Sequence, residues 1–398
     1  MNILVVSQYY WPEPFNTSDF CESLIDKGHK VTVLTGFPTY GMPDNKIPKS
    51  FSSATNAIHN GVKVVRVKQH PVLHGLHHKL LNYLSFCIKA TLEVLRFQDD
   101  YDVVIGYQFS PIISVIPALV FSKLKNKPFL LYCFDLWPAS LSSIGLKKDS
   151  FIYRIVLKLS RFIYSSADTI CVTSPSFIYY LQDLLQVKCS SYHVLPQYAE
   201  ECFSNPGECR LLFSHDKCNI TFAGNIGKYQ SVETIVKAAN VLRNNKDICF
   251  HIVGSGSELS KCKKMAVDYG LENIVFHGRK PLSEMKDYYA SSDAMLITSI
   301  HDEFLNYTLP RKVQSYLAFG VPVIAATEGE SACVIKDAGC GFVSPAEDFI
   351  NLAANCKAFS LINNADYLTS AAKAYYKKNF SRDLFYKKLD LILEDLCN

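Results

Sequence analysis

The sequence predicts an α/β fold built from two doubly wound domains, and three observations carry that reading. Short apolar strands alternate with amphipathic helices along most of the 398 residues. Several strands end in glycine turns: Gly224-Asn-Ile-Gly227 follows Asn219–Ala223, and Gly254-Ser-Gly256 follows Ile248–Val253. The length suits two domains of ordinary size, each able to bury its own core. The boundaries predicted are 1–199 and 200–380, with 381–398 a terminal helix that returns to brace the first domain.

In the first domain Asn2–Ser7 is a continuous apolar strand, as expected in a sheet covered on both faces. Asn16, Thr17 or Ser18 can cap a helix over Asp19–Lys27, or can contact a ligand. His29–Thr35 is the next strand, followed by a turn-rich loop through Tyr40. Strands follow at Val62–Val67, from Asp102, at Pro128–Phe134 and at Asp168–Ser174, the last expected in this domain. Asp135-Leu-Trp137-Pro stands at a strand's carboxyl end, where ligands of open α/β sheets bind. A charge there serves as a helix cap, an ion-pair partner or a site group.

The second domain opens with the two glycine turns, which allow a phosphate to approach backbone N–H groups. Strands Asn273–His277, Ala294–Ile300 and Val321–Ala326 alternate with helices, and two helical patterns close the chain. Arg311-Lys312 opens a helix behind Pro310. Cations there are unfavourable by roughly 0.3–1 kcal/mol unless an anion compensates. A bound diphosphate would do so, as would a pair with Asp302 or Glu303. Gly254-Ser-Gly256 lacks the third glycine and the distal acid of a dinucleotide fingerprint, which disfavours a nicotinamide enzyme.

Composition bounds the partners. Residues 1–199 carry 19 Lys and Arg against 13 Asp and Glu, a balance of +6, and the rest carry 22 against 24, or −2. Only the front half is therefore expected to meet an anionic surface, and no nucleic acid is implied. The basic amphipathic stretches 74–97 and 147–164 fit either sheet-covering helices or peripheral contact with an anionic membrane. Fourteen cysteines without C-x-x-C spacing read as free thiols of a reducing cytosol. His74, His77 and His78 approach metal spacing but have no further ligand nearby, so a surface location is expected. No basic leader or apolar run of about 18 residues is seen, so a cytoplasmic chain without a transmembrane helix is expected.

Several pieces then combine: Tyr9-Tyr-Trp-Pro-Glu-Pro, Lys27–Gly41, Asp135-Leu-Trp-Pro, Ala223-Gly-Asn-Ile-Gly, Ile252-Val-Gly-Ser-Gly, Phe276-His-Gly, Ala318–Ile324 and Ala338–Val343. Their order over residues 1–345 resembles the retaining GT-B glycosyltransferases of family four, most of all bacterial colanic-acid and O-antigen transferases of the fucosamine type. The resemblance implies two Rossmann-like domains facing a cleft, acceptor in the first and nucleotide sugar in the second. Asn16, Thr17, Ser18, Tyr40 and Trp137 would meet the acceptor. Gly224, Asn225, Gly227, Gln230, Gly254, Ser315, Arg311 and Lys312 would line the diphosphate and ribose side. Gly278 and Arg279 would face the base, and Glu328, Glu330 and Ser331 the donor sugar. The family's pair of glutamates falls here on Tyr307 and Ser315, so Glu303 or Asp302 would fill the gap.

The implied reaction is retaining, metal-independent transfer from a nucleotide-diphospho-sugar, UDP-linked and N-acetylated, with no cofactor. The acceptor would be an undecaprenyl-diphosphate-linked saccharide in surface polysaccharide synthesis. Arg311, Lys312, Lys228 and the 224–227 amides would stabilise the departing diphosphate, and Asp135 would orient or deprotonate the acceptor. Two alternatives stay open: a non-catalytic nucleotide-sugar binder or partner of a transferase, and a sugar-nucleotide epimerase.

Overall fold

A computed structural model describes residues 1–39, 56–71, 75–214 and 216–397. Tyr40 and His74 lie outside the described residues. The chain divides into one unit of Met1–Leu195 with Leu389–Asn398 and another of Pro196–Lys388.

In the first unit the described strands are β1 (Asn2–Val6), β2 (Lys30–Gly36), β3 (Asn56–His59), β4 (Val62–Val67), β5 (Val103–Gln108), β6 (Phe129–Cys133), β7 (Thr169–Val172) and β8 (Ser191–Val194). They form one sheet in the order β3-β4-β2-β1-β5-β6-β7-β8. All neighbours run parallel except β3, which pairs antiparallel with β4. Ile3, Leu4, Val5 and Val6 are fully buried, as an apolar run covered on both faces must be. Helix Thr17–Asp26 begins two residues earlier than expected from its apolar pattern. Ser191–Val194 is an eighth strand paired with β7, beyond Asp168–Ser174, which the sequence marks as the last strand of this domain. Its tyrosine and histidine weakened the apolar signal, although every residue in it is partly covered. The chain returns to this unit at its end, where Asp390 pairs with Lys27 at 2.8 Å.

The second unit contains β9 (Cys218–Ala223), β10 (Ile248–Val253), β11 (Ile274–Gly278), β12 (Ala294–Thr298), β13 (Val323–Ala326) and β14 (Gly341–Ser344). The order is β11-β10-β9-β12-β13-β14, parallel throughout. Ile220, Phe222, Phe250, Ile252 and Leu296 pack on one face against helices Val232–Val241 and Phe349–Ser360. Met295, Ile297, Val323 and Ala325 pack on the other against Val313, Tyr316 and Leu317 of helix Lys312–Phe319 and Tyr376 of helix Asp366–Asn379.

Each sheet reverses its direction of growth once. From β1 the chain builds outward through β2 and β4, then restarts beside β1 with β5. From β9 it builds through β10 and β11, then restarts beside β9 with β12. The carboxyl ends of β1/β5 and β9/β12 are therefore where each sheet opens a crevice.

Candidate active site

At the β9/β12 reversal one cation stands apart. Lys312 opens the second helix after β12, and its Nζ lies 4.4 Å from the ring centroid of Phe222 in β9. A Cβ placed on Gly224, directly after β9, would come within 2.8 Å of that Nζ. Burial lowers the ammonium pKa from 10.5 to about 8. Among the described residues no carboxylate pairs with it, and the charge lies over the Phe222 ring. A desolvated, uncompensated cation at a sheet's switch point is costly for folding and fitted to an incoming anion.

The adjacent Arg311 behaves differently. Its Nη1 pairs with Glu200 Oε1 at 3.1 Å, and its Nε donates to the Tyr198 carbonyl at 3.1 Å. Ser315, one turn on, donates to the other oxygen of Glu200 at 2.9 Å. Glu200, 115 residues from Ser315, thus holds both side chains, a pairing that sequence spacing could not reveal.

The glycine turns are closed against each other. Gly224 N donates to Val253 O and Ile226 N to Ser255 O, both at 2.9 Å. A Cβ on Gly254 would lie 1.8 Å from Gly224 O, so only glycine fits there. Gly227 N donates to Gln230 Oε1, which also accepts from Asn225 Nδ2. The expectation of open amides across 224–227 is therefore corrected: the amides of Gly224, Ile226 and Gly227 already donate within the protein. Gln230 ties the loop together, and Lys228 stands exposed beside it.

Beyond β12, Asp302 caps helix Glu303–Tyr307 by accepting from Phe304 N and Leu305 N. Glu303 keeps its carboxylate at the helix surface, where it accepts from Tyr307 OH at 3.2 Å. His301 Nδ1 lies 2.8 Å from Glu328 Oε2, and Gly329, at φ +63°, sits where any Cβ would strike the Asn306 backbone. Glu330 is half-buried and Ser331 buried. Gly278 takes φ +70°, and Arg279 after it is exposed.

In the first unit Asp135 follows β6. Burial raises its carboxyl pKa, against the lowering effect of hydrogen bonds from Ser110, Ser140 and Trp137. Ser140 Oγ donates to Oδ1 at 2.6 Å, and Trp137 Nε1 donates to Ser110 Oγ at 3.0 Å. Beside it a column of aromatic rings climbs from the core to the β1/β5 reversal. Tyr132 packs on Phe134 at 4.2 Å, Phe134 on Phe109 at 5.1 Å, Phe109 on Phe15 at 4.8 Å and Phe15 on Tyr9 at 4.6 Å. Tyr132 is buried, whereas Phe134, Phe109 and Phe15 are partly open.

Residues 17–197 match the family described as Glycosyltransferase Family 4, and residues 210–378 match Glycosyl transferases group 1. The chain belongs to the GT-B glycosyltransferases of family four. Among its relatives, the "Probable glycosyltransferase WbjE" of Pseudomonas aeruginosa is 26% identical over 88% of this chain and 87% of its own. A glycosyl transferase of Escherichia coli named for colanic acid biosynthesis, WcaI, is 23% identical over 82% of this chain and 84% of its own. The Anabaena Alr3699/HepE structure, in complex with UDP and glucose, superposes with a TM-score of 0.69 at 14% identity, over 98% of this chain and 99% of that one.

In this glycosyltransferase the structure gathers Lys312, Phe222 and Gly224 at one switch point and Asp135 and Trp137 near the other. Arg311 is drawn away to Glu200. Thr17 is fully buried beneath the start of its helix, its hydroxyl without a partner, while Asn16 and Ser18 are half-exposed beside it. The Phe15–Phe109–Phe134 rims went unread in the sequence, because strand-end aromatics there look like ordinary core.

Proposed function

We propose that the chain is a retaining, metal-independent transferase moving an N-acetylated sugar from a UDP-linked donor to an undecaprenyl-diphosphate-linked saccharide during bacterial O-antigen or capsule synthesis. The observation that carries it is the unpaired, desolvated Lys312 ammonium at the β9/β12 end. As the anomeric C–O bond breaks, its electron pair passes to the diphosphate, and a preformed cation in a dry setting stabilises that charge far more than one in water. Lys228, exposed beside the 224–227 turn, adds a second charge. Glu303, held by Tyr307, is the carboxylate for the donor sugar's hydroxyls, since Asp302 is engaged as a cap. Asp135 accepts the proton of the acceptor hydroxyl, a role its raised pKa suits. UDP in the Anabaena structure and the polysaccharide naming of WcaI support the donor and the pathway class; retention and the lipid carrier rest on the family resemblance.

The test is release of nucleoside diphosphate from a panel of UDP-, GDP- and TDP-sugars with and without a polyprenyl-linked acceptor. Acceptor-dependent UDP release that collapses in Lys312→Met and survives in Arg311→Met is expected. Tight UDP binding without release would favour a non-catalytic binder, and product formation without any acceptor an epimerase.

A further inference from the structure

Hydroxyls, and no cation, grip the Asp135 carboxyl. Among the described residues no Lys, Arg or His pairs with it. Ser140 Oγ donates to Oδ1 at 2.6 Å, and Ser110, which accepts from Trp137 Nε1 at 3.0 Å, turns its own proton toward the carboxyl. The backbone of this turn is fixed separately. The Asp135 carbonyl accepts from Gln108 Nε2 at 2.8 Å and from Tyr164 OH at 3.3 Å, and the Tyr164 oxygen accepts from Trp137 N at 3.1 Å. Gln108 ends β5, and Tyr164 belongs to helix Phe151–Ser165. The titratable groups beside Asp135 are Cys133 and Tyr164. Burial pushes both up, the thiol to about 12, so neither carries charge near neutral pH.

Ser140, in the short helix Ala139–Ile144, has a second acceptor: its Oγ also lies 2.6 Å from the Leu136 carbonyl. A hydroxyl carries one proton, so it donates to one of these oxygens at a time. With Asp135 ionised the carboxylate takes that proton, because a charge-assisted bond is the stronger. With Asp135 protonated on Oδ1, the carboxyl O–H donates to Ser140 Oγ, and the serine proton turns to the Leu136 oxygen. Rotation of one hydroxyl thus satisfies both charge states without moving the backbone.

We propose that Ser140 is a positioning residue for the transfer step, its hydroxyl serving Asp135 as donor before proton uptake and as acceptor after it. This role rests on Asp135 as the proton acceptor. As the acceptor oxygen bonds to the anomeric carbon, the bond to the diphosphate breaks and its electron pair leaves with the diphosphate. The acceptor's O–H proton passes to Asp135 and is held between Oδ1 and Ser140 Oγ until solvent removes it. Asp135 as a whole stays partly exposed, which leaves it within reach of solvent.

The experiment is a pH titration of the full chain followed by infrared difference spectroscopy of its carboxyl C=O bands, which needs no substrate. The band that Asp135→Asn removes reports this residue, and its midpoint in the native chain should lie above 3.8. Ser140→Ala loses the donor to the carboxylate, so the midpoint should rise by about one pH unit, about tenfold in proton affinity. Ser140→Cys, a weaker donor, should raise it by less, and Ser140→Thr should restore it. Tyr164→Phe loosens the same turn without touching the carboxyl and should leave the midpoint in place. Circular dichroism melts check that each variant folds. In acceptor-dependent UDP release, Ser140→Ala should lower kcat by about tenfold with donor KM unchanged. This role is overturned if no titrating band depends on Asp135, if Ser140→Ala and Ser140→Cys leave the midpoint in place, or if Tyr164→Phe moves it as far. Absence of acceptor-dependent UDP release in a native chain that titrates as expected would instead sink the transferase reading.

Discussion

Glu200 holds Arg311 and Ser315 with its two carboxylate oxygens, 3.1 Å from Arg311 Nη1 and 2.9 Å from Ser315 Oγ. That clamp separates two cations that are neighbours in sequence: one is neutralised, and Lys312 is left charged and partly covered, without a carboxylate partner among the described residues. A group in that state lowers stability and is retained where function requires it.

Replacing Lys312 with methionine removes the desolvated charge and keeps the packing. The variant should be more stable by about 1–2 kcal/mol in urea unfolding, while kcat/KM for the donor falls by about 100-fold or more. Unchanged turnover would remove Lys312 from the mechanism.

Arg311→Met should show the converse. Glu200 loses its cationic partner at a partly covered position and keeps only the Ser315 hydroxyl, so stability drops by about 1–2 kcal/mol after discounting for solvent. Donor affinity measured by calorimetry should change less than threefold, about 0.6 kcal/mol.

UDP affinity should depend on pH through Lys312. Its folded-state pKa, about 8, lies below the ordinary 10.5, so the free protein loses this proton first. Below about 8 the cation is present and binding is full; above it, UDP dissociation constants should rise with pH, and Lys312→Met should abolish that slope. Folding follows the opposite trend: between about 8 and 10.5 the unfolded chain binds more protons, so this group makes stability rise with pH there while UDP binding weakens.

Asp135→Asn should leave UDP binding intact and reduce transfer to acceptor by about 100-fold or more. In the native enzyme the carboxyl pKa is raised by burial. Transfer should therefore decline as pH falls through a value above the ordinary 3.8, and the asparagine variant should lack that limb.

Gly254→Ala should cost about 3 kcal/mol of stability. The new methyl would meet the Gly224 carbonyl at 1.8 Å, with φ at +151°. Circular dichroism melts of this variant and of Gly270→Ala, where nothing lies near the added carbon, separate contact from backbone preference.

Much of this architecture was legible in the chain because apolar runs such as Ile3–Val6 and helical spacing such as Val232–Leu242 encode burial locally. The β9/β12 crevice was legible for the same reason, since glycine turns announce strand ends. Other features were not. Glu200 meets Ser315 across more than a hundred residues, and no local pattern reports such a pairing. The 224–227 amides looked open because a glycine turn reads the same whether it faces a ligand or a neighbouring turn. The antiparallel strand β3, with Ile58 80% exposed, carries no burial pattern from which it could be inferred.

The meeting of Gly329 with the Asn306 backbone joins two loops at the ends of neighbouring strands. Neither can be remodelled alone: a side chain at 329 would push the Glu303–Tyr307 turn out of place, and a shift of that turn would unseat His301 from Glu328. Attempts to retarget the enzyme toward a different donor should therefore diversify both segments together, because libraries confined to one of them will mostly yield misassembled variants.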